Sequence, residues 1–240
     1  MVNVRNEAPR ISMILAHARK WADEVIVIDK GSTDNTVSMA KFYRDVKVIE
    51  VKDRNRYGDE DRINWVNFPR NDWIYIGTPS EIPTVKCIEK CKELVDGDYD
   101  LITVPRKMYM LGQHFPQGPW RIANYKFLID RTRTNVSNKI HNNFSAKHGK
   151  EGHVQYSDDC CVYHLTYTSA KYWLETNIDY WQLEAEGSTN PQQDIDICMA
   201  RIRQYDEIFK NAPIEMRLQW YAWTLYNIGT AFCLEEKRSG

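Results

Sequence analysis

The stretch Ile26-Val27-Ile28-Asp29-Lys30-Gly31-Ser32-Thr33-Asp34-Asn35-Thr36 constrains the fold more than any other part of the chain. Residues 26–28 form an apolar, β-branched run suited to a buried strand. The run ends in the carboxylate of Asp29, and Gly31 then lets the backbone turn sharply. In open α/β sheets, ligands bind outside the carboxyl ends of the strands, which is where this turn falls. Asp29 is placed to accept hydrogen bonds from a base or ribose, and Asp34 or Asn35 to cap the helix that follows. An ordinary strand-to-helix connection is the alternative for this segment taken alone.

The flanking pattern extends the argument. Val2 and Val4 alternate as a short strand would, and Ile11, Ile14, Leu15 and Ala18 fall at helical spacing. A second strand is predicted over Glu24 to Asp29, a short helix over Thr36 to Tyr43 and a third strand over Val46 to Val51. This βαβαβ order predicts an α/β fold with a mostly parallel central sheet flanked by helices. Trp73 to Ile76 predicts a fourth strand ending in the turn Gly77-Thr78-Pro79-Ser80-Glu81; Thr84 to Val95 predicts a helix and Leu101 to Arg106 a strand. Between Lys107 and Asp159 the helical period disappears and glycines and prolines recur, so loop with short strands is predicted. Aromatic and basic residues crowd that stretch, among them Tyr109, His114, Trp120, Arg121, Tyr125 and His141. Such a mixture suits sugar rings, with packed surface loops as the alternative.

After Leu165 the chain reads as helical to its end. Leu174, Ile178, Trp181 and Ala185 mark one stripe; Cys198, Met199, Tyr205 and Phe209 belong to a second; Leu218, Tyr221, Leu225 and Phe232 belong to a third. These stripes are expected to pack between helices in a small bundle. The expected division is therefore an α/β domain over residues 1–166 and a helical extension over residues 167–240.

Composition excludes some partners. Across 240 residues the formal net charge is −1, so net charge implies neither nucleic acid nor an anionic membrane as partner. No apolar run reaches the roughly eighteen residues of a membrane span, and residues 1–5 resemble no leader. A cytoplasmic protein is expected, with the inner face of the membrane as an alternative. The six cysteines lack the paired spacing of a zinc site and are expected to be ordinary thiols.

Four stretches resemble the inverting family-2 glycosyltransferases of the GT-A fold, especially bacterial enzymes that build lipopolysaccharide and other surface glycans. Asn6-Glu7 follows the first strand, and Trp21-Ala22-Asp23-Glu24 precedes the strand that ends in Asp29 to Thr36. Trp73 to Pro83 resembles the strand leading into the family's Asp-x-Asp-Glu metal motif. Val162-Tyr163-His164, with Tyr172-Trp173-Leu174, resembles its late histidine and tyrosine-rich helix. The resemblance covers about residues 1–185. It implies a nucleotide-sugar donor and a glycan or lipid-linked acceptor, with Asn6, Glu7, Asp29, Gly31, Ser32 and Asp34 lining the nucleotide half and Asp29 facing the base. Lys30 would reach phosphate or stay solvated.

In this alignment the metal-binding aspartates fall on Thr78 and Ser80. Transfer releases a nucleoside diphosphate whose charge a divalent cation, Mn or Mg, normally neutralises through oxygen ligands. Three readings follow. Basic side chains serve instead, the candidates being Lys30, Arg62, Arg106, Arg121 and Lys139. Alternatively, Glu81 and His164 hold a metal weakly together with the diphosphate. In the third reading the domain is catalytically degenerate and acts as a nucleotide-, glycan- or protein-binding module. Inverting transfer also needs a base for the acceptor hydroxyl, for which Glu81 is the first candidate, His141 the second and Asp158 or Asp159 the third. The C-terminal helices are candidates for a peripheral membrane or homo-oligomer contact. A Rossmann-type cofactor enzyme is disfavoured, because no G-x-G-x-x-G follows the first strand.

Overall fold

The computed structural model describes residues 1–51, 62–110, 112–114, 116, 121–137, 144–166, 170–210 and 212–239, with side chains excepted at 62, 170–172, 214–216 and 218. In chain order, the first elements are β1 (Val2–Val4), α1 (Ala8–Ala18), β2 (Val25–Asp29), α2 (Thr36–Lys41), β3 (Val46–Glu50), α3 (Arg62–Trp65), β4 (Trp73–Tyr75), β5 (Glu81–Pro83) and α4 (Val85–Val95). They are followed by β6 (Leu101–Met110), β7 (Ala123–Asp130), β8 (Thr134–Val136), β9 (Phe144–Ala146), β10 (Glu151–His153), β11 (Val162–Thr166), α5 (Ala170–Gly187), α6 (Pro191–Phe209) and α7 (Ile214–Ser239). Met1–Lys107 with Ile122–His164 make one compact unit, and Met108–Arg121 with Leu165–Gly240 the other.

β2 runs parallel to both β1 and β3, and all five of its residues are buried. A strand covered on both faces is apolar throughout, because its alternating side chains enter two different cores. Val25 and Val27 pack with Ile11, Ile14 and Leu15 of α1, while Ile26 and Ile28 pack with Trp65 and Ile74 on the other side. The four helical positions singled out by spacing, Ile11, Ile14, Leu15 and Ala18, are the buried residues of α1. Beyond β1 the sheet continues: Asn3 N–H donates to the carbonyl of Gly77 at 3.0 Å, and Gly77 N–H to that of Met1 at 3.1 Å, in a parallel bridge between Val2 and Gly77. The carboxyl ends of β1, β2 and β4 therefore point the same way, and their loops share one edge.

The second sheet has the order β4-β7-β6-β11-β5, with β10 parallel to β6. β7 is antiparallel to both β4 and β6, and β11 to β5, while β8 and β9 pair separately. The segment expected to be loop with short strands thus supplies β7, eight residues long, and the end of a ten-residue β6. β7 hid from the pattern because its first half is polar; the Lys126 ammonium, for example, donates to the carbonyl of Phe144. α4 begins at Thr84, whose hydroxyl accepts from Cys87 N–H, and α6 at Asn190, which accepts from Gln193 N–H ahead of Pro191.

In the second unit α7 packs against both α5 and α6. Its interior matches the predicted stripes in part, with Ala185, Cys198, Tyr205 and Phe209 buried. Leu174, Ile178, Met199, Tyr221, Leu225 and Phe232 are exposed, whereas Thr176, Asn177, Gln219, Asn227 and Thr230 are buried. Part of that polarity is satisfied within the helices: the Asn177 and Asn227 amides donate to the carbonyls of Trp173 and Trp223, four residues back.

Candidate functional site

The loops that follow β1 and β2 are sewn together by side chains. Asn6 N–H donates to Ser32 Oγ at 2.9 Å, Glu7 N–H to Thr36 Oγ1 at 2.7 Å and Ala8 N–H to Asp34 Oδ2 at 3.2 Å. In return, Asn6 Oδ1 accepts from Thr33 N–H at 2.8 Å. Asn6 holds φ +57, a left-handed conformation that asparagine adopts more readily than most residues. The expected helix cap is resolved in favour of Asp34: its Oδ1 accepts from Thr36 N–H, while Asn35 at the N-cap makes no side-chain cap bond. Burial works to raise the Asp34 pKa, but the bonds from Thr36 and Ala8 prevail and hold it below the usual carboxylate range.

Asp29, 2 % exposed, turns its carboxylate onto its own turn: Oδ2 accepts from the N–H groups of Gly31 and Ser32, each at 3.1 Å. Gly31, at φ +82, makes that return possible. Lys30 is 2 % exposed, not solvated, with Nζ 6.0 Å from the centre of the Trp65 ring. These groups form one polar rim at the carboxyl edge of the parallel strands.

A second, more deeply buried network adjoins it. Glu81 opens β5 and faces His164 of β11 in register. Its Oε2 accepts from Tyr75 Oη at 2.7 Å and Thr78 N–H at 3.3 Å, and its Oε1 from Arg106 Nη1 at 3.2 Å. Burial opposes the charge on Glu81, yet His164, Arg106 and these hydrogen bonds outweigh it and keep the pKa below its ordinary value. His164 goes the other way: burial pushes its pKa down to about 4, with the charges of Arg106 and Arg10 adding to the shift and that of Glu81 opposing it. The ring is neutral at pH 7. Its Nδ1 is buried without a hydrogen-bond partner among the described residues. Arg10 binds Glu7 through both Nε and Nη2, at 2.8 and 2.7 Å. The parallel bridge between Val2 and Gly77 sets the loop after β1, which carries Glu7, beside the turn that leads to Glu81. Burial drives the pKa values of Tyr75 and Tyr125 well above the ordinary tyrosine range, so both hydroxyls stay protonated.

Thr78 and Ser80, standing where the metal-binding aspartates are expected, hydrogen-bond to each other at 2.6 Å. Among the described residues no group of three or more His, Cys, Asp or Glu side chains is arranged to hold a metal ion. A hollow lined by Tyr75, Thr78, Glu81, His17 and Trp21 measures about 30 Å³.

The structure joins Asn6 to Ser32 by a direct hydrogen bond, Asp34 to the backbone of Ala8 and Glu7, through its backbone, to Thr36. Glu81 and His164 meet across paired strands. Arg121 belongs to the second unit, where it donates to Tyr205 Oη at 3.4 Å. Asp158 and Asp159 are exposed and paired with Lys107 and Lys86. His141 and Lys139 lie outside the described residues, as does the side chain of Arg62. Sequence reasoning passed over Arg10 and Tyr75, and named Tyr125 only among the aromatic residues suited to sugar rings. Arg10 carried a signal, standing three residues after Glu7 on a predicted helix. The roles of the two tyrosines beside Glu81 and Arg106 were not legible, because they depend on strand pairing. The six cysteines are free thiols, and no described helix is long and apolar enough to cross a membrane.

The family model described as "Glycosyl transferase family 2" matches residues 1–149. No curated protein matches the chain. Among solved structures, residues 1–349 of S. aureus TarS are similar at 12 % identity and a TM-score of 0.51, over 100 % of this chain and 90 % of that one. The same TarS segment in complex with UDP-GlcNAc is similar at 13 % identity and 0.51, over the same shares. A longer TarS structure gives 14 % and 0.50, over 91 % of this chain and 46 % of that one. At such identities the likeness shows the fold.

Proposed function

Because the chain belongs to glycosyl transferase family 2 and has a GT-A fold, we propose that it transfers a sugar from a nucleoside-diphosphate sugar to a hydroxyl of a glycan or lipid-linked acceptor, with inversion. Residues 1–166 form the transferase domain in this reading, and residues 167–240 a helical extension. The observation that carries it is the polar rim at the carboxyl edge of β1 and β2. Asn6, Glu7, Ser32 and Asp34 are pre-organised there beside the buried Asp29, where the family resemblance puts the nucleotide. TarS binds UDP-GlcNAc on a similar fold, so a UDP-linked sugar is the first donor to test.

In such a transfer the acceptor oxygen bonds to the anomeric carbon from the face opposite the phosphate. The bond from that carbon to the β-phosphate oxygen breaks, and its electron pair leaves with the nucleoside diphosphate. The acceptor's hydroxyl proton passes to a base. Glu81 and His141 are the candidates for that base. Glu81 is ionised at neutral pH, as a base has to be, and it opens β5 just past the turn that follows β4. In this reading Asp29 accepts hydrogen bonds from the base or ribose with lone pairs left over from its own turn.

The degenerate-module reading is favoured by one observation: three donors already occupy the Glu81 carboxylate. Turnover separates the two. Incubating the chain with UDP-GlcNAc and other nucleotide sugars, with and without manganese, is expected to release nucleoside diphosphate, faster when an acceptor is present. Glu81→Gln is expected to lower that rate by about 100-fold or more. Absence of turnover combined with tight nucleotide binding would establish the binding module. Asp29→Asn is expected to weaken nucleotide binding, and a variant that binds like the parent removes Asp29 from the site.

A further inference from the structure

Family membership leads one to expect a divalent ion at the turn of residues 78–81, and the side chains there do not fit one. Hard divalent cations take several oxygen ligands, with carboxylates prominent among them. Here the two aspartate positions are hydroxyls bonded to each other, and the one carboxylate, Glu81, accepts from Tyr75, Thr78 and Arg106. The Arg106 guanidinium, 3.2 Å from Glu81 Oε1, would repel an ion placed against the same oxygen.

We propose that Arg106 takes the place of the metal ion and supplies the positive charge that receives the leaving diphosphate. The proposal rests on the nucleotide-sugar reading above. A cation is built into this turn through Glu81, the acidic residue that survives beside the lost aspartates. Arg106 is positioned from two sides, by Glu81 and by the Tyr125 ring, whose centre lies 4.6 Å from the guanidinium carbon. Its side chain is 27 % exposed, so part of the fork is open to solvent. Nε is buried without a partner among the described residues, and the terminal nitrogens are the donors left to reach a ligand. A planar guanidinium binds phosphate through two parallel hydrogen bonds, which a lysine cannot do. As the fork turns to the diphosphate, Glu81 loses its ion pair and its proton affinity rises, which suits a base that takes up the acceptor's proton in the same step.

The test is diphosphate binding to the full chain, measured by calorimetry and thermal shift with UDP, GDP and ADP, each in EDTA and in manganese chloride. For whichever diphosphate binds best, the affinity is expected to agree within about twofold between EDTA and manganese. Arg106→Ala is expected to weaken the diphosphate by about tenfold or more while leaving the parent nucleoside unchanged, and Arg106→Lys to recover part of the loss. Equal weakening of nucleoside and diphosphate would mark Arg106 as structural only and overturn the proposal, as would binding that needs manganese. In both cases the nucleotide-sugar reading survives. Binding of none of the three diphosphates by the parent would overturn both.

Discussion

At the scale of single residues, the site depends on a side chain that is missing. A Cβ on Gly77 would lie 1.7 Å from Tyr75 Oη, so the Tyr75 ring folds back over Gly77 to reach Glu81. Gly77→Ala is therefore expected to drive Tyr75 off, leave the buried Glu81 carboxylate one donor short and cost about 1–3 kcal/mol in urea unfolding. Tyr75→Phe removes the hydroxyl alone and is expected to cost less, because the ring keeps its packing against Phe127. If Gly77→Ala unfolds at the parent's urea concentration, Tyr75 does not brace Glu81. The contrast with Asp29 and Asp34 shows what single residues disclose. Those two act on atoms within three positions of themselves in the turn that defines them, apart from the bond to Ala8, so residue type and spacing are enough to suggest them. Glu81 and Arg106 are separated by 25 positions and meet only once β5, β11 and β6 have assembled.

At the scale of elements, the parallel half was legible because each strand is short, apolar and followed by a turn. β2 is buried along its whole length, and its alternate residues fill two cores. β7 was not legible, since a strand whose polar half lies among β6 and the neighbouring loops has no clean period of two. The C-terminal helices were recognised as helices, and their apolar stripes mark buried positions at Ala185, Cys198, Tyr205 and Phe209 but exposed ones at Leu174, Ile178 and Phe232. What packs α5 against α7 is partly a small residue: a Cβ on Gly229 would stand 2.3 Å from the Trp181 ring. Gly229→Ala gains about 1 kcal/mol of helix propensity. Overpacking against a ring held within a helix pair costs about 1–3 kcal/mol. The two terms oppose each other and the second is larger, so a lower melting temperature is expected, with loss of near-ultraviolet tryptophan dichroism. A melting temperature above the parent's would mean that the Trp181 ring yields freely.

For the whole molecule, acid is the condition that tests the buried network, because its groups titrate in separate windows. The unfolded chain protonates His164 near its ordinary value of 6.5, whereas the fold resists until about 4. Between those values the unfolded state holds a proton that the native state refuses, so stability falls as pH drops from 6.5 to 4 and this contribution then levels off. Asp34 and Glu81 behave differently: their pKa values are depressed in the fold, so their stabilisation is complete above the ordinary carboxylate values and is lost only as pH falls below them. Asp100, fully buried and bound to Arg133 Nε at 2.9 Å and His148 N–H at 2.7 Å, belongs with them. The buried Met1 amine, pushed down to about 5, titrates in an overlapping window, so the part of the limb between pH 6.5 and 4 that is lost with His164 reports on His164, and a limb that begins near 4 on the carboxylates. One unit of pKa shift is worth about 1.4 kcal/mol, which partial exposure of the histidine reduces, so a loss of about 1–2 kcal/mol between pH 7 and pH 5 is expected. His164→Phe removes the titrating group from both states. Whatever that substitution does to stability at pH 7, the variant's change between pH 7 and pH 5 is expected to be smaller than the parent's in urea unfolding. Parallel curves for the two proteins would show that His164 is not held neutral between Glu81 and Arg106, and the buried half of the site would then need another electrostatic account.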